Sequence, residues 1–235
     1  MDNSVAAPFD QTIAILCERV AGLLAQQASL PRRRLLIALA GVPGSGKSTI
    51  SSALLKILSK KAAGSIVVVP MDGFHYSKAA LASFPDPAFA FRKRGAPFTF
   101  DVTAFLDFVL MLKDQPVTFS GEPEVLMFAP SFDHGKQDPV ANDIEISSRA
   151  RIVIIEGNYT LSDEQPWCKI AEQVDERWFV DTPPDVAKER LIARHLRAGI
   201  ESTRDLAARR VEDNDLPNAE LIRNHLTEPN LKIVC

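Results

Sequence analysis

The stretch Leu35-Leu-Ile-Ala-Leu-Ala-Gly-Val-Pro-Gly-Ser-Gly-Lys-Ser-Thr49 decides how the rest of the chain is read. Its first six residues, Leu35 to Ala40, form an unbroken apolar run of strand length, which predicts a strand buried on both faces. Gly41, Gly44, Ser45, Gly46, Lys47, Ser48 and Thr49 then follow with the spacing G-x-x-x-x-G-K-[ST], and a helical pattern over 48–61 runs out of them. Glycines let backbone N–H groups close around phosphates, and the helix N-terminus adds positive potential. Lys47 is then placed for the terminal phosphates of ATP and the Ser48 hydroxyl for Mg²⁺. The alternative is an ordinary glycine-rich turn, against which the complete motif in its strand-to-helix setting weighs heavily.

Beyond this stretch, short apolar runs recur at Ile66 to Val69, Ile152 to Ile155, Trp178 to Val180 and Leu231 to Val234. Helical patterns lie between or beside them at about 102–113, 184–198, 203–213 and 217–226. Such alternation predicts an α/β fold with parallel strands joined by crossovers. Residues 1–34 carry one further helical pattern, with Ile13, Leu16, Cys17, Val20, Leu23 and Leu24 at helical spacing. Residues 73–150 break the rhythm, being rich in Pro, Phe and Asp with one clear helix. A long insertion of this kind in a compact α/β domain is the expected place for substrate. Trp167 and Trp178 read as core, and so, as packing residues, do Phe98 and Phe100.

Composition narrows the function classes. The 235 residues are 46% hydrophobic, enough for one domain with a full core. A net charge of -3 and a pI near 5.8 argue against nucleic acid or an anionic membrane as partner. The basic run Arg32-Arg33-Arg34 reads as a solvated entrance to the first strand. Cys17, Cys168 and Cys235 are too widely spaced for a disulfide framework or a zinc site. Asp10 and Glu18 fit poorly with a transit peptide, and no apolar stretch is long enough to span a membrane. The expectation is a soluble, cytoplasmic protein whose partners are a small-molecule substrate and, at most, further copies of itself.

Two carboxylates end strands. Asp72, in Pro70-Met-Asp-Gly-Phe-His-Tyr-Ser77, follows the second apolar run, and Glu156 follows the third. Ligands of parallel sheets gather at the carboxyl ends of the strands, so both acids should face the same crevice as Lys47 and Ser48. Asp72 can take a proton from an attacking hydroxyl or bind Mg²⁺ through water, and Glu156 belongs in the magnesium shell. Farther on, Arg190, Arg194 and Arg197 fall at i, i+4 and i+7 on one helical face after Pro183-Pro184. Such a face, closing over a phosphoryl group in transfer, stabilises its charge and excludes water.

In this order, the segments Gly41 to Thr49, Met71-Asp-Gly-Phe-His75, Arg94-Gly-Ala-Pro-Phe-Thr-Phe-Asp101, Ala129-Pro-Ser-Phe-Asp-His134 and Ile152-Val-Ile-Ile-Glu-Gly157 resemble the motifs of the uridine kinase, pantothenate kinase and phosphoribulokinase group of P-loop kinases. The likeness runs from about Leu35 to Val234. It implies a P-loop NTPase fold with a five-stranded parallel sheet flanked by helices. It implies a substrate-binding insertion at 73–150, an arginine-rich lid at 190–210, and phosphorylation of a metabolite hydroxyl by ATP with Mg²⁺. Under that likeness Asp72 matches the catalytic base, with Lys47, Arg194 and Arg197 beside it. Glu156 matches the metal-linked acid, and His75, Arg94, Asp101, His134 and Arg204 lie on the acceptor or lid side. Asp101 also has the position of a helix N-cap. The nearest pattern is that of uridine kinases, although Asp72-Gly73-Phe74 is closer to pantothenate kinases, and a sugar kinase remains an alternative. A P-loop ATPase without an acceptor is the rival from another class; the chain lacks a guanine-reading Asn-Lys-x-Asp and a Leu-Ser-Gly-Gly-Gln signature.

Overall fold

The computed structural model describes residues 3–61 and 65–235; Met1 and Asp2 of the 1–34 segment lie outside them. The strands are β1 (Ser4–Ala6), β2 (Leu35–Gly41), β3 (Ile66–Pro70), β4 (Leu126–Asp133), β5 (Asp138–Ser147), β6 (Ile152–Glu156), β7 (Glu176–Asp181) and β8 (Leu231–Val234). The helices are α1 (Phe9–Gln26), α2 (Lys47–Lys61), α3 (Lys78–Leu81), α4 (Pro87–Arg92), α5 (Val102–Asp114), α6 (Cys168–Ala171), α7 (Pro184–Arg197), α8 (Arg204–Arg210) and α9 (Leu216–Asn224).

One sheet, in the order β1-β8-β7-β2-β6-β3, organises the molecule, and every pairing in it is parallel. All seven residues of β2 are buried. Leu35, Ile37 and Leu39 pack with α1 and α2 on one face, whereas Leu36, Ala38 and Ala40 join the larger cluster on the other. This is why the run is apolar without alternation: successive side chains point to opposite faces, and both faces are covered. Fully burying each such Leu or Ile contributes about 1.5–3 kcal/mol.

The sheet has six strands rather than the five expected. The extra one is β1, paired to β8 through Val5 and Ile233, at a place whose sequence reads as part of an N-terminal helix. Three residues on an edge are too short to carry a period. The helix expected behind it is α1, with Ile13, Leu16, Cys17 and Val20 buried. Arg34 corrects a second reading. Arg32 and Arg33 are exposed and paired with Glu122 and Asp175, but Arg34 is only 2% exposed. Its Nε donates to the Ala150 carbonyl at 2.9 Å and its Nη1 to that of Leu112 at 2.7 Å, tying the last turn of α5 and the end of the insertion to the start of β2.

The insertion holds more structure than its sequence announces. Besides α5 it contains the hairpin β4–β5, paired antiparallel with a register shift between Ala129 and Ser131. Pro130, Pro139 and the left-handed residues Gln137 and Asn142 break the alternation that would have marked these strands. Downstream, α8, a π-turn at Val211–Asp215 and α9 follow one another directly where two helices were expected. Trp167 and Trp178 are buried, as the sequence suggests.

Candidate active site

The loop after β2 carries the first part of the site. Gly44 has φ +77°, and a Cβ there would lie 2.7 Å from the Ala187 carbonyl oxygen. Glycine therefore both permits the left-handed turn and lets α7 rest against the loop. Ser45 lies beneath, its carbonyl accepting from Thr182 Oγ1 at 3.0 Å and from Arg190 Nη1 at 3.4 Å. Arg190 is thus partly a structural brace for the loop. Gly41 and Gly46 complete the turn, and Ser48 and Thr49 are exposed in the first turn of α2.

Lys47 is buried at the centre. Its ammonium donates to the carbonyls of Gly41 at 3.0 Å and Val42 at 3.2 Å and to Asn158 Oδ1 at 2.8 Å. Burial pulls its pKa down to about 8, against the pull of Glu156 and Asp72, which favour the charged form, while Arg194 adds to the depression. A loop, two strand ends and α7 thus act on a single nitrogen.

Glu156 ends β6 opposite Pro70 of β3. Its carboxylate accepts from Ser48 Oγ at 2.8 Å and from Ser51 Oγ at 3.2 Å. A serine hydroxyl and a carboxylate side by side, with Asp72 nearby, are hard oxygen donors that suit Mg²⁺. Among the described residues there is no cluster of three or more His, Cys, Asp or Glu able to hold a metal alone.

Asp72 lies in a 3₁₀ turn, Met71–Phe74, directly after β3, with its side chain 45% exposed. A Cβ on Gly73 would stand 2.1 Å from the Pro130 carbonyl oxygen, so glycine is what lets this turn lie against β4. His75 Nδ1 is 2.9 Å from the Asp72 carbonyl oxygen and 3.9 Å from its Oδ1. Its ring lies 3.8 Å from the ring of Phe100 and 4.9 Å from that of Phe132, centroid to centroid. Burial lowers the His75 pKa, opposed by Asp72, and the nearby Arg94 and His134 lower it further. The structure therefore gathers Asp72, His75, Arg94 and His134 in one neighbourhood. His134 itself is exposed in the hairpin turn, 5.3 Å from Phe132 ring to ring.

Other expected residues fare differently. Asp101 caps α5, its Oδ1 accepting from the Ala104 amide at 2.9 Å, an interaction typically worth about 1 kcal/mol. Arg194 and Arg197 are exposed on α7. Arg204 is ion-paired with Glu189 of α7 at 2.6 Å, both exposed. Phe100 is buried, but Phe98 is 43% exposed and stacked on Phe89 instead of packing inward.

Three contributors escape a reading of the sequence. Asn158 binds Lys47; its one signal is its place two residues beyond Glu156. Tyr159 is buried with its hydroxyl donating to the Gly95 carbonyl at 2.8 Å, and burial followed by the proximity of Asp215 and Asp72 pushes its pKa up. Asn214, in the π-turn, donates to the Arg94 carbonyl at 2.9 Å. Nothing local in the sequence marks the last two.

Residues 36–209 match the model of the Phosphoribulokinase / Uridine kinase family, and the chain belongs to that family. A protein of Schizosaccharomyces pombe, provisionally named a uridine kinase, is 36% identical over 232 residues, covering 98% of this chain and 94% of its own. A solved structure from Silicibacter sp. TM1040, provisionally named a fructose transport system kinase, is 33% identical, covers 94% of this chain and 98% of its own, and superposes with a TM-score of 0.79. YFH7 from Saccharomyces cerevisiae, provisionally named a P-loop-containing kinase, has a TM-score of 0.83 at 24% identity over 95% of this chain and 98% of its own, a likeness of fold. The chain is a P-loop kinase with a parallel α/β core, and the family implies use of ATP. No helix among the described residues is long and apolar enough to cross a membrane.

Proposed function

We propose that this chain transfers the γ-phosphoryl group of ATP to a hydroxyl of a small metabolite, with Asp72 as the base. The observation that carries the reading is the geometry of the phosphate loop: the buried Lys47 ammonium is held by the Gly41 and Val42 carbonyls and Asn158, and Ser48 of the same loop is bonded to Glu156 at the end of β6. The acceptor oxygen attacks the γ-phosphorus as its proton passes to an Asp72 carboxylate oxygen, and the bond to ADP breaks with its electrons leaving on ADP. Lys47 and the loop amides hold the phosphate charge, and Arg194 and Arg197 supply the lid side. Ser48, Asp72 and Glu156 are the residues that would hold Mg²⁺, which when bound offsets phosphate charge.

Uridine is the first acceptor to test, on the motif pattern and the name of the S. pombe relative; a sugar is the second, on the name of the Silicibacter protein. The test is an ADP-release assay with uridine, cytidine, pantothenate and common sugars. Acceptor-dependent turnover supports the kinase reading. A rate no greater than that with ATP alone, across the whole panel, moves it to an ATPase. The reading is of a soluble, cytoplasmic enzyme, and sedimentation would decide whether it self-associates.

A further inference from the structure

Beside Asp72 stands a guanidinium that the protein itself leaves unsatisfied. The Arg94 side chain is only 9% exposed. Its Nη2 donates to the Tyr76 carbonyl at 2.9 Å and reaches Asp138 Oδ1 at a long 3.4 Å. That same Asp138 oxygen already accepts from the Lys78 amide at 2.8 Å. The Arg94 Nε and Nη1 are buried and meet no acceptor, leaving one N–H on Nε and two on Nη1 unspent. Burying a cation with its donors idle is costly, and a single shared, partly exposed carboxylate compensates little of it.

The surroundings favour an anion over a neutral group. The ring of Phe132 lies over the guanidinium at 5.4 Å and 4.9 Å from the ring of His75, on which Asp72, Arg94 and His134 all act electrostatically. The loop bearing Arg94 is fixed in advance: Asn214 Nδ2 donates to the Arg94 carbonyl, Tyr159 to that of Gly95, and Lys93 Nζ to that of Asp213. Such preorganisation is what a specificity-determining contact requires.

We propose that Arg94 receives an anionic group, a carboxylate or a phosphate, carried by the acceptor itself, while the acceptor's hydroxyl faces Asp72. The half-buried Phe132 ring lies over the guanidinium and would have to move to admit it. The acceptor then carries both a hydroxyl and an anionic group, which describes a small hydroxy acid or sugar phosphate. A neutral nucleoside or sugar would leave Arg94 unpaired. This deepens the kinase reading and rests on it for the phosphoryl transfer, but the binding can be tested apart from it.

The experiment pairs molecules that differ in charge: glycerate with glycerol, gluconate with glucose, and ribose 5-phosphate with ribose, with uridine alongside. Binding is measured by calorimetry with the phosphate loop filled by Mg²⁺ and a non-hydrolysable ATP analogue, and turnover by ADP release. At least one anionic member should bind and react where its neutral partner does not, and the carboxylate and phosphate arms tell which anion is read. In Arg94→Gln the KM or Kd for that anion should rise roughly a hundredfold, as for removal of one partner of a buried charge pair, with kcat changed far less. Arg94→Lys should recover part of the loss. Lys47→Ala should abolish turnover and keep anion binding. Turnover of a neutral acceptor with no preference for its anionic partner would overturn the inference and leave the kinase standing. So would equal losses for both members of a pair in Arg94→Gln, or no anion binding to the wild type. Arg94-dependent binding without turnover would keep the site and defeat the kinase.

Discussion

The two halves of the site are built in opposite ways. On the nucleotide side the polar groups come mainly from one contiguous segment and most find protein partners: Lys47 has three acceptors and Glu156 is bonded by Ser48 and Ser51, with the buried Ser45 hydroxyl the exception. On the proposed acceptor side, His75, Arg94, Phe132, Tyr159 and Asn214 arrive from five separate stretches, and buried donors of Arg94 remain unspent. A contiguous loop fixes its own geometry, so one motif suffices to specify it. An assembled chamber depends on how the insertion packs, and so is free to differ among proteins that share the loop.

Lys47→Ala strikes this contrast hardest. It removes the cation of the nucleotide half, so phosphoryl transfer should fall by several orders of magnitude, read by ADP release. Thermal melting without nucleotide should change little, since a buried ammonium is removed along with its hydrogen bonds. Retained activity would mean the loop does not bind phosphates.

Glu156→Gln should act more narrowly. A neutral amide is a poorer partner for a hard cation and its water shell, so the Mg²⁺ concentration for half-maximal rate should rise about tenfold or more. An unchanged requirement would reduce Glu156 to an acceptor for Ser48 and Ser51.

The smallest effect is one of pH. With Lys47 titrating at about 8 in the empty site, ATP affinity should weaken above pH 8 by up to tenfold per unit, because phosphate binding favours the protonated lysine. Stability of the nucleotide-free protein should move the other way between pH 8 and 10.5. There the unfolded lysine keeps a proton that the buried one has shed, so unfolding binds protons and folding gains as pH rises. Both trends should vanish in Lys47→Ala; calorimetric titrations and melts across that range check them.

Sequence legibility follows the same division. Four of the core strands are readable because burial leaves continuous apolar runs, whereas β8, whose sequence reads as buried on both faces, instead alternates buried Leu231 and Ile233 with exposed Lys232 and Val234; Asp101 is readable as a cap because capping is local. Strand β1 is not, at three residues on an edge, nor is the hairpin, whose prolines and bulge erase alternation. Arg34 and Arg94 are visible as residues, but their burial depends on carbonyls far along the chain, and for that reason Arg34 reads as solvated when it is not. Tyr159 and Asn214 act through tertiary contacts that no spacing encodes.

If Asp72 serves the acceptor half while the nucleotide half stands without it, Asp72→Asn should separate the two. ATP binding by calorimetry and acceptor turnover by ADP release are measured on the same variant. Turnover should be lower by roughly a hundredfold or more, in line with loss of a general base, with ATP affinity nearly unchanged. Equal loss of both, or loss of neither, would contradict the role given to Asp72.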